Sequence, residues 1–238
     1  MTALWQGRPI EAVLFDLDGT LLDTARDIAV SLNRATAERG WGRIDEEAVR
    51  GMIGRGAPIL IERAAAALHQ PLDGQAHGEI LERFFFHYGE LEERGEFEAA
   101  PYPGVREALR AVHAARLRTG IVTNKQQRFA TGLIERLGLA GYIDLVVGGD
   151  RCERRKPDPQ PLLYAYEQLK VAPARALMVG DSINDVEAAR GATMPVICVT
   201  YGYNEGQDPR SLPCDALIDS LVDLLPLLSL EAGGSDAC

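Results

Sequence analysis

The sequence predicts an α/β fold, a doubly wound parallel sheet carrying an inserted all-helical domain. Three observations support it. Six short apolar runs recur along the chain. Segments of helical period separate most of them, and strands alternating with helices build a parallel sheet covered on both faces. The stretch from Thr24 to Arg94, by contrast, carries only helical stripes.

The first run, Ala12–Phe15, ends abruptly at Asp16 and is flanked by turn-prone residues, the pattern of a buried strand. Ile28, Ala29, Leu32 and Ala35 then share one helical face, which Gly40 closes. Asp45 is placed to cap a second helix, with Glu46 and Glu47 favourable to its dipole. Leu60, Ile61, Ala64, Ala65 and Leu68 make a third stripe. Ile80, Leu81, Phe84, Phe85, Tyr88 and Leu91 make a fourth. Pro101–Gly104 returns the chain to the alternating pattern, so hinges are expected near Leu22–Asp23 and Gly95–Ala100. Strands follow at Gly120–Val122, Ile143–Val147, Ala176–Val179, Val196–Val199 and Ala216–Ile218. Between them, Phe129, Leu133, Ile134 and Leu137 form one helical face ending at Gly138, and Leu162, Leu163, Tyr166 and Leu169 form another. The expected division is a core of residues 1–22 and 98–238 with residues 23–97 inserted.

Composition narrows the functional classes. The chain has 238 residues, 46% hydrophobic and 25% charged, which is ordinary for a globular protein. Its net charge of −10 opposes binding to nucleic acid or an anionic membrane, and its longest basic run is Arg154–Lys156. An anionic substrate would therefore need local cations or a metal. Cys152, Cys198, Cys214 and Cys238 lack zinc spacing and read as reduced thiols of a cytoplasmic protein. No signal-peptide-like run occupies the first eleven residues, and Leu221–Leu230, broken by Asp223 and Pro226, is too short to span a bilayer.

Ligands of open parallel sheets bind beyond the carboxyl ends of the strands. Asp16, Asp18, Gly19 and Thr20 follow the first strand, and Thr123 and Asn124 the second. Lys156 and Pro157 lie beyond the third, and Gly180, Asp181 and Asp185 follow the fourth. Taken singly, these strings are a turn, a helix cap, a loop lysine and a capped helix start. Taken together they bring carboxylates to one rim, where mutual repulsion is relieved by a divalent cation. Aspartate oxygens suit magnesium.

In this order, Asp16-Leu17-Asp18-Gly19-Thr20-Leu21, Val122-Thr123-Asn124, Lys156-Pro157 and Gly180-Asp181-Ser182-Ile183-Asn184-Asp185 resemble the four motifs of the haloacid dehalogenase superfamily. The resemblance covers essentially the whole chain. Val147–Asp150 and Tyr201–Gly206 look like those of the bacterial phosphoglycolate phosphatases, and the helical insert stands where that family carries a small cap. It implies a Rossmann-like core and a magnesium-dependent phosphatase. Asp16 would be the nucleophile forming an aspartyl-phosphate, and Asp18 the general acid and base. Asp16, Asp181 and the backbone carbonyl of Asp18 would hold Mg2+. Lys156, Thr123, Asn124 and amides near Gly19 would bind the phosphoryl group, and Asp185 would orient Lys156 or a metal-bound water.

The resemblance also sorts the relatives. Dehalogenases do not need an acid at Asp18. Phosphonatases use a cap lysine, whereas the only lysines are Lys125, Lys156 and Lys170. A β-phosphoglucomutase-like activity, or a phosphatase of a sugar phosphate, stays open beside 2-phosphoglycolate. So does a non-catalytic phospho-ligand binder, although Asp16 and Asp18 are both present. In the insert, Arg55 within Gly54-Arg55-Gly56 is expected to face the substrate and to pair with its carboxylate; the alternative is a solvated turn arginine. The expected partner is a small phosphorylated molecule. Monomer and homodimer both remain open.

Overall fold

The structure is a computed structural model describing residues 2–230. A short ribbon, β1 (Leu4–Trp5) and β2 (Arg8–Pro9), precedes β3 (Ala12–Phe15) and β4 (Leu22–Asp23). Four helices follow: α1 (Ala25–Ala37), α2 (Glu46–Arg50), α3 (Ala57–Ala67) and α4 (Gly74–Arg94). The chain returns through β5 (Ala100–Pro101), α5 (Val105–Ala114), β6 (Arg118–Val122), α6 (Gln127–Arg136) and β7 (Leu145–Val147). It ends with α7 (Gln160–Leu169), β8 (Ala176–Gly180), α8 (Ile183–Gly191), β9 (Val196–Val199), β10 (Ala216–Ile218) and the short α9 (Leu224–Leu227).

Six parallel strands form one sheet in the order β10-β9-β8-β3-β6-β7. The first of them, β3, lies inside, between β6 and β8, and all four of its residues are buried. The order therefore switches direction at the carboxyl end of β3, where such sheets leave a crevice. Val13 and Phe15 face one apolar layer with Leu109, Leu133 and Leu177, and Ala12 and Leu14 face the other with Leu162, Met178 and Val186. Within α7, Leu162, Tyr166 and Leu169 are buried as the periodicity predicts, but Leu163 is exposed because it points away from the sheet.

The helices α1–α4 have a core of their own, built from Leu32, Ile61, Ile80, Phe84 and Tyr88. Asp45 caps α2 by accepting from the Ala48 amide at 2.8 Å, and Asp73 caps α4 by accepting from Ala76 at 2.8 Å. The two crossings between insert and sheet are themselves paired: β4 and β5 form an antiparallel ribbon. Buried Asp27 of α1 reinforces the return, each carboxylate oxygen accepting from one of the Glu98 and Ala99 amides at 2.9 Å. Phe129 of α6 joins the insert's core, with its ring 4.8 Å from Tyr88 and 5.9 Å from Phe85. No helix among the described residues is long and apolar enough to cross a membrane. Of the cysteines, Cys152, Cys198 and Cys214 are free, and Cys238 lies outside the described residues.

Candidate active site

Asp16 stands at the carboxyl end of β3, where its amide still donates to the Val179 carbonyl of β8 at 2.9 Å. Lys156, almost wholly buried, reaches it with Nζ 3.0 Å from Asp16 Oδ1 and 2.6 Å from Asp185 Oδ1. Asp181 follows β8, the strand beside β3. Its Oδ1 accepts from Thr20 Oγ1 at 2.9 Å, and its Oδ2 accepts from the Tyr203 amide at 2.8 Å. Ligand oxygens of Asp16, Asp181 and Asp185 lie within 4.8 Å of one another, and all three residues are buried.

Electrostatics show what this arrangement lacks. Burial, opposed by Lys156, pushes Asp16 up to about 7. Burial, reinforced by Asp185 and Asp16, pushes Asp181 up to about 8. Lys156 is held above its ordinary range, because Asp16 and Asp185 outweigh the cost of burying its charge. One buried ammonium thus serves a group of buried carboxylates. A hard cation with oxygen ligands would complete the charge, and carboxylates fit that donor preference. Asp185 is the least available ligand of the three. Its Oδ2 already accepts from the amides of Asp181 and Ser182 and from Ser182 Oγ at 3.0–3.2 Å, as the capping box of α8, while Oδ1 holds Lys156. That geometry fits a carboxylate that orients Lys156.

Residues 13–199 match the family described as haloacid dehalogenase-like hydrolase. A phosphoglycolate phosphatase of Nitrosospira multiformis is 42% identical over 221 residues, covering 92% of this chain and 96% of that protein. One from Escherichia coli K12 is 39% identical, covering 93% of each. The crystal structure of a predicted phosphoglycolate phosphatase from Haemophilus somnus superposes with a TM-score of 0.85 at 30% identity, over 92% of this chain and 97% of that one. The chain belongs to the haloacid dehalogenase-like hydrolases.

The remaining residues expected at the site of this hydrolase divide in two. Asp18 and Thr123 line the cavity in front of Asp16. Thr123 Oγ1 accepts from the Lys125 amide at 3.2 Å, so its own proton stays free to donate. Gly19 and Asn124, expected beside the phosphoryl group, make other contacts in this structure. The Gly19 amide donates to the Leu22 carbonyl at 2.9 Å. Gly19 matters for space instead: with φ +86°, a Cβ there would lie 2.5 Å from Asp181 Oδ2. The Asn124 side-chain amide donates to the carbonyls of Gly54 and Lys156, both at 2.9 Å, and so ties the insert to the lysine loop. Arg55 is half exposed, with Nε 3.2 Å from Glu205 Oε1, and is not among the cavity-lining residues, because this carboxylate on the sheet side draws it away. Gly56 does line the cavity.

Sequence reasoning missed Lys125. Its buried Nζ lies 2.9 and 3.2 Å from the two oxygens of Asp18 and 4.8 Å from the centre of the Tyr88 ring. Burial opposes its charge, but Asp18 and Tyr88 together raise the lysine above its ordinary range. The available signal was position: Lys125 directly follows Thr123-Asn124 at the end of β6. Glu205 was missed as well. It joins Asn184 of the core at 2.9 Å to Arg55 and Arg63 of the insert, the latter at 2.5 Å.

Proposed function

We propose that this chain is a magnesium-dependent phosphatase that hydrolyses 2-phosphoglycolate to glycolate and inorganic phosphate. The observation that carries the reading is the convergence of Asp16, Lys156 and Asp181 at the end of β3. The named relatives at about 40% identity over nine-tenths of the chain supply the substrate. The cavity is lined by Asp16, Asp18 and Thr123 at one side and by Ile53, Leu60, Phe84 and Phe129 at the other.

In the proposed reaction an Asp16 carboxylate oxygen attacks phosphorus and the ester P–O bond breaks. Asp18 gives its proton to the departing glycolate oxygen. Water then attacks the phosphorus of the aspartyl-phosphate, Asp18 takes a proton from it, and phosphate leaves with Asp16 restored. Lys156, oriented by Asp185, neutralises phosphoryl charge, and Thr123 donates a hydrogen bond to it. Asp16 and Asp181, with the Asp18 backbone carbonyl, are the proposed magnesium ligands; when bound, the cation lowers the repulsion between carboxylate and phosphate. For unit charges about 4 Å apart at an effective dielectric near 20, that repulsion is about 4 kcal/mol. Residues 23–97 act as a cap on a core of residues 1–22 and 98–238, excluding water when they close.

The test is a panel of 2-phosphoglycolate, ethyl phosphate and a hexose phosphate, compared by kcat/KM with and without magnesium. The highest value for 2-phosphoglycolate, lost in excess chelator, is expected. A preference for the hexose phosphate, or turnover that survives chelation, overturns the reading.

A further inference from the structure

The proposed substrate carries a carboxylate beside its phosphate, and a carboxylate buried in a cavity requires a partner. Two cationic side chains line the cavity, Lys125 and Arg155. Lys125 is engaged by Asp18 through both carboxylate oxygens. Arg55, in the insert, is turned to Glu205. Arg155 differs from both. Its Nε donates to the Gly149 carbonyl at 2.7 Å, and among the described residues the ion pair of this loop's arginines with a carboxylate is made by Arg154, with Asp158, and not by Arg155. Its terminal nitrogens remain for a ligand. Arginine in this state presents two parallel N–H groups, the arrangement that pairs bidentately with a carboxylate.

The surroundings keep that position open. Gly56 has φ +82°, and a Cβ there would lie 3.3 Å from Arg155 Nη1 and 3.1 Å from the Asn124 carbonyl. A side chain at this point would fill the gap between the insert loop and the guanidinium. The absence of one leaves Arg155 facing the cavity under the loop. Arg155 also immediately precedes Lys156, so one loop would present a cation to each end of the substrate, Lys156 to phosphate and Arg155 to carboxylate.

The geometry points to Arg155, on the core loop, as the residue that recognises the substrate carboxylate. The assignment rests on the 2-phosphoglycolate reading and moves specificity from the insert to the core. It is tested with Arg155→Gln and Arg155→Lys, by the ratio of kcat/KM for 2-phosphoglycolate to that for ethyl phosphate, a similar ester without the carboxylate. Arg155→Gln lowers this ratio roughly ten- to a hundredfold, the worth of a charge-assisted hydrogen bond. Arg155→Lys, which keeps the charge but loses the fork, recovers part of it. Turnover of ethyl phosphate by each variant reports that it is folded. If that turnover is lost in Arg155→Gln, the Arg155→Lys ratio decides. A ratio unchanged from wild type in the variants that still turn over ethyl phosphate overturns the assignment while leaving the phosphatase reading intact. A wild-type enzyme that does not favour 2-phosphoglycolate over ethyl phosphate overturns both.

Discussion

Asp18 and Lys125 form a partly buried pair whose two members do different work. In the proposed reaction Asp18 carries a proton to the leaving group, whereas Lys125 only holds it in place, with Nζ 2.9 and 3.2 Å from its oxygens. Thr24 Oγ1 adds a third contact at 2.6 Å. Removing Lys125 leaves a partly buried carboxylate short of a partner, so Lys125→Met is expected to lower kcat at least tenfold with little change in KM, read by steady-state kinetics. Asp16→Asn removes the proposed nucleophile and is expected to abolish turnover; normal phosphate release by this variant contradicts an aspartyl-phosphate. Asp18→Asn separates the two steps. Single-turnover transfer from an alkyl phosphate should slow more than transfer from an aryl phosphate, whose leaving group needs less protonation, while release from the enzyme stays slow for both. Equal loss for the two leaving groups rules out acid catalysis by Asp18. Much of this cluster was legible in the sequence, because Asp16, Asp18, Asp181 and Asp185 each follow a strand whose apolar run is unmistakable. Lys125, Arg155 and Glu205 were not, since a charged residue in a loop looks the same whether it is solvated or turned inward.

The loop of residues 201–206 connects three elements that the sequence shows only separately. Its Tyr203 amide donates to Asp181, and its Tyr203 hydroxyl donates to Asp23 at 2.9 Å and accepts from the Thr24 amide at 2.8 Å. Glu205 then reaches across to Arg55 and Arg63. A residue near the proposed metal, the crossing into the insert and the insert itself are thus linked within a few residues. Burial pushes the Glu205 carboxyl up, but hydrogen bonds from Asn184 and Arg63 prevail and hold it below its ordinary value. Its side chain is only 15% exposed, so the contacts are better sheltered from water than a surface ion pair. Glu205→Gln is therefore expected to weaken closure, raising KM severalfold for 2-phosphoglycolate and ethyl phosphate alike. Arg55→Ala should follow the same pattern more weakly. A loss confined to 2-phosphoglycolate in Arg55→Ala would instead return carboxylate recognition to the insert. The six sheet strands and most helices were readable because period and burial agree along them, whereas α5 and the β1–β2 ribbon were not expected. The paired crossing of β4 and β5 was not, since two-residue strands carry no periodicity.

At the scale of the whole molecule, the site opposes the protein's own charge. A chain of net charge −10 buries Asp16, Asp181 and Asp185 together and supplies one buried ammonium, Lys156, among them. Doing so without a cation costs stability in a pH-dependent way. Burial, against the pull of Lys156, raises Asp16 to about 7, and burial with the neighbouring carboxylates raises Asp181 to about 8. Both lie far above the ordinary aspartate value of 3.8. Between the unfolded and folded values the native state holds more protons than the unfolded chain, so stability falls as pH rises. The contribution is complete below about pH 4 and is lost as pH passes through 7 to 8. Metal binding reverses the balance, because its ligands must be deprotonated and it binds only the folded state. In chelator, the melting temperature is therefore expected to drop between pH 6 and pH 9, while magnesium raises it most at the alkaline end. At a hundredfold excess over its dissociation constant the cation adds about 2.7 kcal/mol, or roughly 5–10 °C for a chain of this length. Asp16→Asn removes one of the titrating carboxyls and one ligand, so it should flatten the pH dependence in chelator and shrink the magnesium shift. The two proteins differ only at this position, so the difference between their melting curves isolates the buried carboxyl. An identical slope in the variant and the parent would mean that Asp16 is already ionised and held by Lys156 alone, and would remove the electrostatic reason for a metal at this position.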